Sequence, residues 1–311
     1  MRVSIAMSTY NGGKYVRAQL DSILSQTYPI HEIIVCDDQS FDGTQQILSE
    51  YSSKNLIRFF QNESRLGVIN NFKKAILLCE GDYISLADQD DVWERNKIEL
   101  SVEAMKKIEL KNLPCLIFSD LQIMDEKLNR LEPSLWQNLK VYPKYETFGT
   151  VLYGNIITGC TVLINRDFLK YVKEMPSIIT MHDSWFGLIA YGLGKVAIVY
   201  QATVKFRRHG SNVTNVQSLT EAEKILRFFK LMIQDLRQGH FLKDELKQAE
   251  IFYNLYKNDL SNKDRTHLDK FLALRSSNFF SRKIRTFFGK RLPFIFLKLG
   301  RKTSLKIKHL T

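Results

Sequence analysis

Along the first 120 residues, short aliphatic and β-branched runs alternate with longer stretches whose apolar residues recur at i, i+3 and i+4. The short runs cover residues 3–7, 33–36, 57–60, 83–87 and 115–118, and their near-continuous apolar character predicts buried strands. Between them, residues 15–26, 44–53, 68–79 and 97–108 carry the spacing of amphipathic helices. A strand–helix alternation of this kind predicts an α/β domain, a mostly parallel sheet flanked by helices on both faces.

The rhythm becomes less regular over residues 128–145, where Pro133, Trp136 and Pro143 interrupt it. Strand-like segments at 160–164, 196–199 and 204–207 and a helix-like one at 183–192 continue the same domain. From residue 219 onward the pattern is helical. The expected division is therefore a catalytic-type domain over 1–215 and a helical extension over 216–311. No internal repeat of 20–50 residues is present.

Charge sharpens this division. The formal net charge is +12, yet residues 270–311 contain 7 Lys and 5 Arg and no Asp or Glu, so the body is neutral and the tail carries the whole excess. A nucleic-acid binder spreads basic residues over its folded domain, and that class is disfavoured. The tail also holds 7 of the 20 Phe, interleaved with the basic residues. Two readings stand: a helical subdomain packed through its aromatics, or an interfacial segment that buries Phe in lipid and sets Lys and Arg against anionic headgroups. Cys36, Cys79, Cys115 and Cys160 form no C-x-x-C pair and read as free thiols of a reducing compartment. The opening apolar run is too short for a secretory leader, and no stretch reaches the length of a spanning helix, so a cytoplasmic protein is expected.

In an open α/β sheet ligands bind beyond the carboxyl ends of the strands. The first strand is followed by Ser8-Thr9-Tyr10-Asn11-Gly12-Gly13, the second by Asp37-Asp38-Gln39-Ser40-Phe41-Asp42-Gly43-Thr44, and the fourth by Asp88-Gln89-Asp90-Asp91. Asp42 and Thr44 also suit a helix N-cap. Carboxylates clustered at two strand ends repel one another unless a cation is present. They point to a hard divalent metal, Mg²⁺ or Mn²⁺, which commonly takes further ligands from substrate phosphates. That chemistry suggests a diphosphate substrate. No G-x-G-x-x-G follows the first strand, and Leu193 stands where a P-loop lysine is required, so a nicotinamide enzyme and a P-loop NTPase are disfavoured.

Taken together, VSIAMSTYNG, IIVCDDQSFDGT and ISLADQDDVW resemble the nucleotide-sugar-dependent family 2 glycosyltransferases of GT-A fold, in order over residues 1–215. The DQDD-Val-Trp form, NIITGCT (155–161), MHDSWFGLIA (181–190) and FRRHGSNVT (206–214) are most similar to rhamnosyltransferase-type members. The resemblance implies that Thr9, Tyr10 and Asn11 line the nucleotide pocket and that Asp38, with Asp37 nearby, bonds the base. Asn71 matches a polar position facing the donor, or is a surface helix residue. Asp88 matches the residue approaching the ribose, and Asp90 the metal ligand, with Asp88 and Asp91 as the other candidates for the metal shell. Asp183 matches the general base of an inverting transfer; an N-cap of the following helix is its alternative. Arg207 and His209 match a segment against the donor phosphates, and Arg208 leaves open which arginine faces them.

The implied function is an inverting glycosyltransferase that extends a cell-surface polysaccharide or lipid-linked glycan at the inner face of the cell membrane. Resemblance alone makes dTDP-β-L-rhamnose the first-choice donor. A UDP-hexose or UDP-N-acetylhexosamine is the alternative within the class, and a non-catalytic nucleotide-sugar-binding scaffold is the alternative outside it.

Overall fold

The computed structural model describes residues 1–210, 212 and 242–276. They fall into two compact units, one of residues 1–143, 156–210 and 212, the other of residues 144–155 and 242–276. Residues 144–155, which sequence patterning leaves inside the first domain, thus group with the helical unit. Most of the basic tail, residues 277–311, lies outside the described residues, and so does either reading of it.

The first unit is built on a nine-stranded sheet. Its strands are β1 (Val3–Thr9), β2 (Ile30–Asp37), β3 (Arg58–Gln61), β4 (Tyr83–Asp88), β5 (Val92–Trp93), β6 (Cys115–Met124), β7 (Arg130–Glu132), β8 (Leu163–Asn165) and β9 (Lys195–Arg207). The order is β3-β2-β1-β4-β8-β6-β9-β5, with β7 on β6. The central strand β1 has almost no exposed position, as its apolar run predicts for a strand covered on both faces. Pairings among β1, β2, β3 and β4 are parallel. Beyond β4 the sheet is mixed: β8 runs antiparallel to both β4 and β6, β5 antiparallel to β9 and β7 antiparallel to β6, while β6 and β9 are parallel.

The helices of this unit are α1 (Val16–Leu24), α2 (Thr44–Ser53), α3 (Gly67–Leu77), α4 (Lys97–Ile108), α5 (Leu135–Leu139), α7 (Leu169–Lys173) and α8 (His182–Leu193); α6 (Phe148–Val151) belongs to the other unit. Helix α3 packs on β1 and β2, and α4 on β6 and β9. The buried stripe of α4 is Lys97, Ile98, Ser101, Val102 and Met105, so the predicted apolar face carries a fully buried lysine. All four cysteines are free and buried.

Two local expectations change. Residues 160–164 are not one strand; a 3₁₀ turn at Gly159–Thr161 precedes β8. Residues 195–207 form one strand instead of two, with a register shift where Ser119 faces Val199 but Asp120 faces Ala202. That irregularity accommodates the polar interruption that made the segment read as two strands.

The second unit contains α6, α9 (Lys243–Tyr256) and α10 (Asn262–Leu272). Phe148 meets Phe252 at 5.6 Å between ring centroids, and Tyr153 meets Phe271 at 4.8 Å. Ser261 caps α10, its hydroxyl accepting the Asp264 N–H at 3.1 Å.

Candidate functional site

The parallel register aligns the chemistry: Thr9 stands opposite Asp37, and Ser8 opposite Asp88. Three strand ends therefore deliver their polar loops to one edge of the sheet. A cleft of about 770 Å³ opens there. Tyr10, Asn11, Asp38, Asp88, Asp90, Asp183 and His209 all line it, although they come from widely separated parts of the chain.

At one end, Asp37 is fully buried and organises the loop after β2. It accepts the Thr9 hydroxyl at 2.8 Å, the Ser40 hydroxyl at 2.5 Å, the Ser40 N–H at 2.9 Å and the Gln45 side-chain amide at 3.1 Å. Asp38, which reaches the cleft, accepts the Asn62 amide at 2.9 Å and the backbone N–H groups of Leu66 and Gly67 at 2.6 and 2.8 Å. Two of those donors sit at the amino end of α3, where backbone N–H groups lack intrahelical partners. Asn71 is buried, donating to Ser8 Oγ at 2.7 Å and the Cys36 carbonyl at 2.8 Å while accepting from Asn62 at 2.8 Å. It is therefore not a surface helix residue, and it braces the cleft floor from behind. Gln89 clasps Tyr10 through both backbone groups, accepting its N–H at 2.8 Å and donating to its carbonyl at 2.9 Å. Arg65 lies over the Tyr10 ring, 3.8 Å from its centroid.

At the other end stands the carboxylate run. Burial pushes the Asp88 pKa up to about 8, with the nearby charges of Asp90 and Asp183 adding to it. Asp91 is likewise held well above the usual carboxylate range by burial, then by Asp90 and Asp88. Its Oδ1 accepts the Arg207 N–H at 3.2 Å, whereas Oδ2 is buried without a hydrogen-bond partner among the described residues, and the Cys160 thiol lies close to the carboxyl group. Ligand-type atoms of Asp88, Asp91 and Cys160 lie within 4.8 Å of one another. Only Asp88 of these three lines the cleft, with Gln89 and Asp90 beside it, and burial keeps the Cys160 thiol from ionising. The cleft-facing oxygens of Asp88 and Asp90 are hard donors, and a divalent cation there relieves the repulsion that raises Asp88, so this donor set fits Mg²⁺ or Mn²⁺ better than the thiol-containing set does.

His209 Nε2 lies 2.9 Å from Asp90 Oδ2, and its ring stacks on Tyr15 at 4.8 Å. Arg207 is buried, its Nε donating to the Asp90 carbonyl at 2.9 Å and its Nη1 to the Glu126 carbonyl at 2.6 Å. Arg208 is exposed. Glu126 accepts the Tyr15 hydroxyl at 2.8 Å and pairs with Lys14 at the cleft rim.

Asp183 sits in the first turn of α8, where an acidic side chain is favoured by the helix dipole. The N-cap is Met181, so Asp183 is not the cap. Its Oδ2 accepts the Gly159 N–H at 3.1 Å. His182 beside it is buried, its ring tilted against Phe72 with 4.3 Å between centroids.

Of the sequence-predicted residues, Tyr10, Asn11, Asp38, Asp88, Asp90, Asp183 and His209 line the cleft; Thr9, Asp37, Asn71, Asp91 and Arg207 stand behind it. Sequence reasoning missed Tyr15, Arg65, Gln89, Glu126 and Gly159. Gln89, inside the DQDD run, had a signal in its position; the others are placed by contacts between distant segments.

The sequence profile described as Glycosyl transferase family 2 matches residues 4–172. A putative teichuronic acid biosynthesis glycosyltransferase, TuaG of Bacillus subtilis, is 28% identical over 209 residues, 64% of this chain and 78% of that one. The E. coli UDP-Glc:alpha-D-GlcNAc-diphosphoundecaprenol beta-1,3-glucosyltransferase WfgD is 28% identical over 173 residues, 54% and 62% of the two chains. The dTDP-rhamnosyl transferase RfbG of Shigella flexneri is 28% identical over 222 residues, 66% and 72%. Among solved structures, S. aureus TarS 1-349 in complex with UDP-GlcNAc superposes with a TM-score of 0.54 at 18% identity, covering 88% of this chain and 80% of that one. The mannosyltransferase PcManGT from Pyrobaculum calidifontis, in complex with GDP-Man and Mn2+, superposes with 0.51 at 15% identity over 98% and 80%. These likenesses show that the fold is that of the GT-A enzymes.

Proposed function

This chain belongs to glycosyl transferase family 2, and from that premise we propose that it is an inverting, metal-dependent glycosyltransferase acting on a lipid-linked or cell-surface glycan. The observation that carries the reading is the pairing, in one cleft, of Asp183 on α8 with Asp88 and Asp90 beyond β4. Asp38 and Tyr10 would hold the nucleoside, Asp38 with lone pairs left after its three hydrogen bonds and Tyr10 as a ring pinned by Gln89 and Arg65.

Inversion needs a carboxylate on the face of the anomeric carbon opposite the leaving nucleotide. Asp183 would take the proton of the acceptor hydroxyl as that oxygen forms its bond to the anomeric carbon and the bond to the diphosphate breaks. Its hydrogen bond from Gly159 fixes one carboxylate oxygen and orients the other. Asp88 and Asp90, with His209 orienting Asp90, would hold Mg²⁺ or Mn²⁺, which when bound supplies Lewis-acid stabilisation to the departing diphosphate. Arg207, buried between the Asp90 and Glu126 carbonyls, ties the strand end that carries His209 to the carboxylate loop.

For the donor, the DQDD-Val-Trp and HDSW motifs favour dTDP-β-L-rhamnose, which inversion would convert into an α-L-rhamnoside. The similarity to RfbG supports that choice, and the similarity to WfgD supports UDP-glucose as the alternative. Among the described residues no helix is long and apolar enough to cross a membrane. The proposed location is the inner face of the cell membrane, reached through the basic, Phe-rich tail, where a lipid-linked acceptor would lie.

A panel of dTDP-rhamnose, UDP-glucose and UDP-N-acetylglucosamine, measured by thermal shift and by transfer to undecaprenyl-diphosphate-linked acceptors with and without EDTA, tests the reading. One donor should bind and transfer, and EDTA should abolish transfer. No binding by any nucleotide sugar refutes the function, and full transfer in EDTA refutes the metal.

A further inference from the structure

We propose that His182 is a sugar-recognition residue whose imidazole hydrogen-bonds a hydroxyl of the glycosyl group being transferred. The inference rests on the glycosyltransferase reading and deepens it.

His182 opens α8, is 4% exposed, and lines the cleft beside Asp183. Among the described residues neither ring nitrogen has a hydrogen-bond partner. Buried polar side chains are nearly always paired, and a lone pair of unmet nitrogens calls for a reason. Packing alone does not supply one: the ring lies tilted against Phe72, 4.3 Å between centroids, and meets Phe186 edge-on at 6.1 Å, an environment that a phenylalanine fills without the desolvation of two nitrogens.

Gly159 shows where the ring approaches the reacting groups. A Cβ at that position would stand 2.8 Å from His182 Nε2 and 3.8 Å from Asp183 Oδ2. The glycine therefore lets the imidazole and the proposed base converge on one small region of the cleft wall. Burial lowers the His182 pKa to about 4, so the ring is neutral near pH 7. A neutral imidazole offers one donor and one acceptor and adds no positive charge that would weaken Asp183 as a base. A sugar hydroxyl, itself both donor and acceptor, is the matching partner. A diphosphate would call for cationic donors, which this wall of the cleft lacks among the described residues.

His182→Phe keeps the stack on Phe72 and removes both nitrogens; His182→Gln restores a donor and an acceptor. Calorimetry would compare dTDP-rhamnose, UDP-glucose and UDP-N-acetylglucosamine with dTDP and UDP alone, beside melting curves and transfer kinetics. In His182→Phe, affinity for the free nucleoside diphosphate should stay within about 2-fold of wild type. Affinity for the nucleotide sugar, or kcat/KM for transfer, should fall about 10-fold, the size expected for one neutral hydrogen bond lost to a buried partner. The ligand-free melting temperature should not fall, and His182→Gln should recover part of the loss. An unchanged ratio of nucleotide-sugar to nucleotide affinity together with unchanged kcat/KM overturns the proposal. So does an equal loss for both ligands with a lowered melting temperature, the result of a packing role. If wild type binds the nucleotides but no nucleotide sugar, the functional reading fails on the wild-type measurement alone.

Discussion

Lys97 gives a test of the fold that is independent of substrate. It is fully buried on α4, its Nζ donating to Ser85 Oγ at 2.9 Å and lying 3.9 Å from the Trp93 ring centroid. Burial lowers its pKa to about 7, against smaller opposing contributions from Cys160 and Asp91. A lysine in the unfolded chain titrates near 10.4. Between those values the unfolded chain binds more protons at Lys97 than the folded one, so the contribution of Lys97 to stability rises with pH. From pH 6 to 8.5 that contribution grows by about 2 kcal/mol, equivalent to roughly 4–8 °C in melting temperature for a unit of this size. Lys97→Met fills a similar volume and removes the titration. Ser85 keeps a partner, because its hydroxyl also donates to the Val162 carbonyl at 3.0 Å. At pH 6 the methionine variant should match or exceed the wild type, since exchanging a buried charge for an apolar side chain is often neutral or stabilising. The wild type should then close on it by about 2 kcal/mol as pH reaches 8.5. Asp88, with its pKa raised to about 8, and Asp91, also raised, act in the opposite sense over this range, and buried Cys36 and Tyr51 do so at higher pH; all are common to both proteins, so the comparison isolates Lys97 and its attraction to Asp91. Melting curves of both at half-unit pH steps measure the difference. A difference that stays constant with pH, or moves against the variant as pH falls, refutes the account of Lys97 as a buried, depressed amine.

Three further outcomes are expected. Asp183→Asn should bind the nucleotide sugar almost as wild type while transfer falls roughly 10²–10⁴-fold, measured by calorimetry beside initial rates; unaffected transfer would remove Asp183 from the base role. Gly194→Ala would set a Cβ 1.9 Å from the Pro114 carbonyl oxygen at the junction of α8 and β9, a contact with backbone that cannot yield, so the variant should lose about 3 kcal/mol or more or fail to accumulate as soluble protein. Removing residues 277–311 should cut affinity for anionic vesicles by several kcal/mol, at about 1 kcal/mol per basic residue near the surface plus the buried Phe area, and added salt should weaken the full-length chain in the same co-sedimentation assay; truncation with no loss of vesicle binding would dismiss the membrane role of the tail.

The parallel half of the sheet was legible because each strand is buried on both faces and each helix presents a regular stripe. Residues 44–53 and 97–108 carry helices with the predicted bounds, and β1 to β4 extend the apolar runs by one or two residues to the polar strand ends. The mixed half was not legible, because strand direction depends on how the chain returns to the sheet and not on hydropathy. Residues 160–164 look like one apolar strand, but their first part must turn so that the Gly159 N–H meets Asp183, and only Leu163–Asn165 joins the sheet. The Asp clusters announced themselves through unbalanced charge at strand ends. Tyr15, Arg65 and Glu126 did not, since nothing in their local sequence shows that they face His209, Tyr10 and Lys14.

Strands β8 and β9, beyond β4, complete the cleft. Because β8 runs antiparallel to β4, with Ser85 opposite Leu163, the chain enters β8 from the carboxyl end of β4, and that entry brings Cys160 beside Asp88 and Asp91 and the Gly159 N–H to Asp183. Strand β9 pairs antiparallel with β5, Val92 opposite Lys205, so its own carboxyl end carries Arg207 and His209 to Asp91 and Asp90. Through β8 and β6, β9 runs parallel to β4, so its carboxyl end falls on the same edge as those of β1, β2 and β4. Asp88 and Asp90 beyond β4 and Asp183 on α8 thus share one cleft, where burial first and then the neighbouring charges raise Asp88, a repulsion that a bound cation or protonation would relieve.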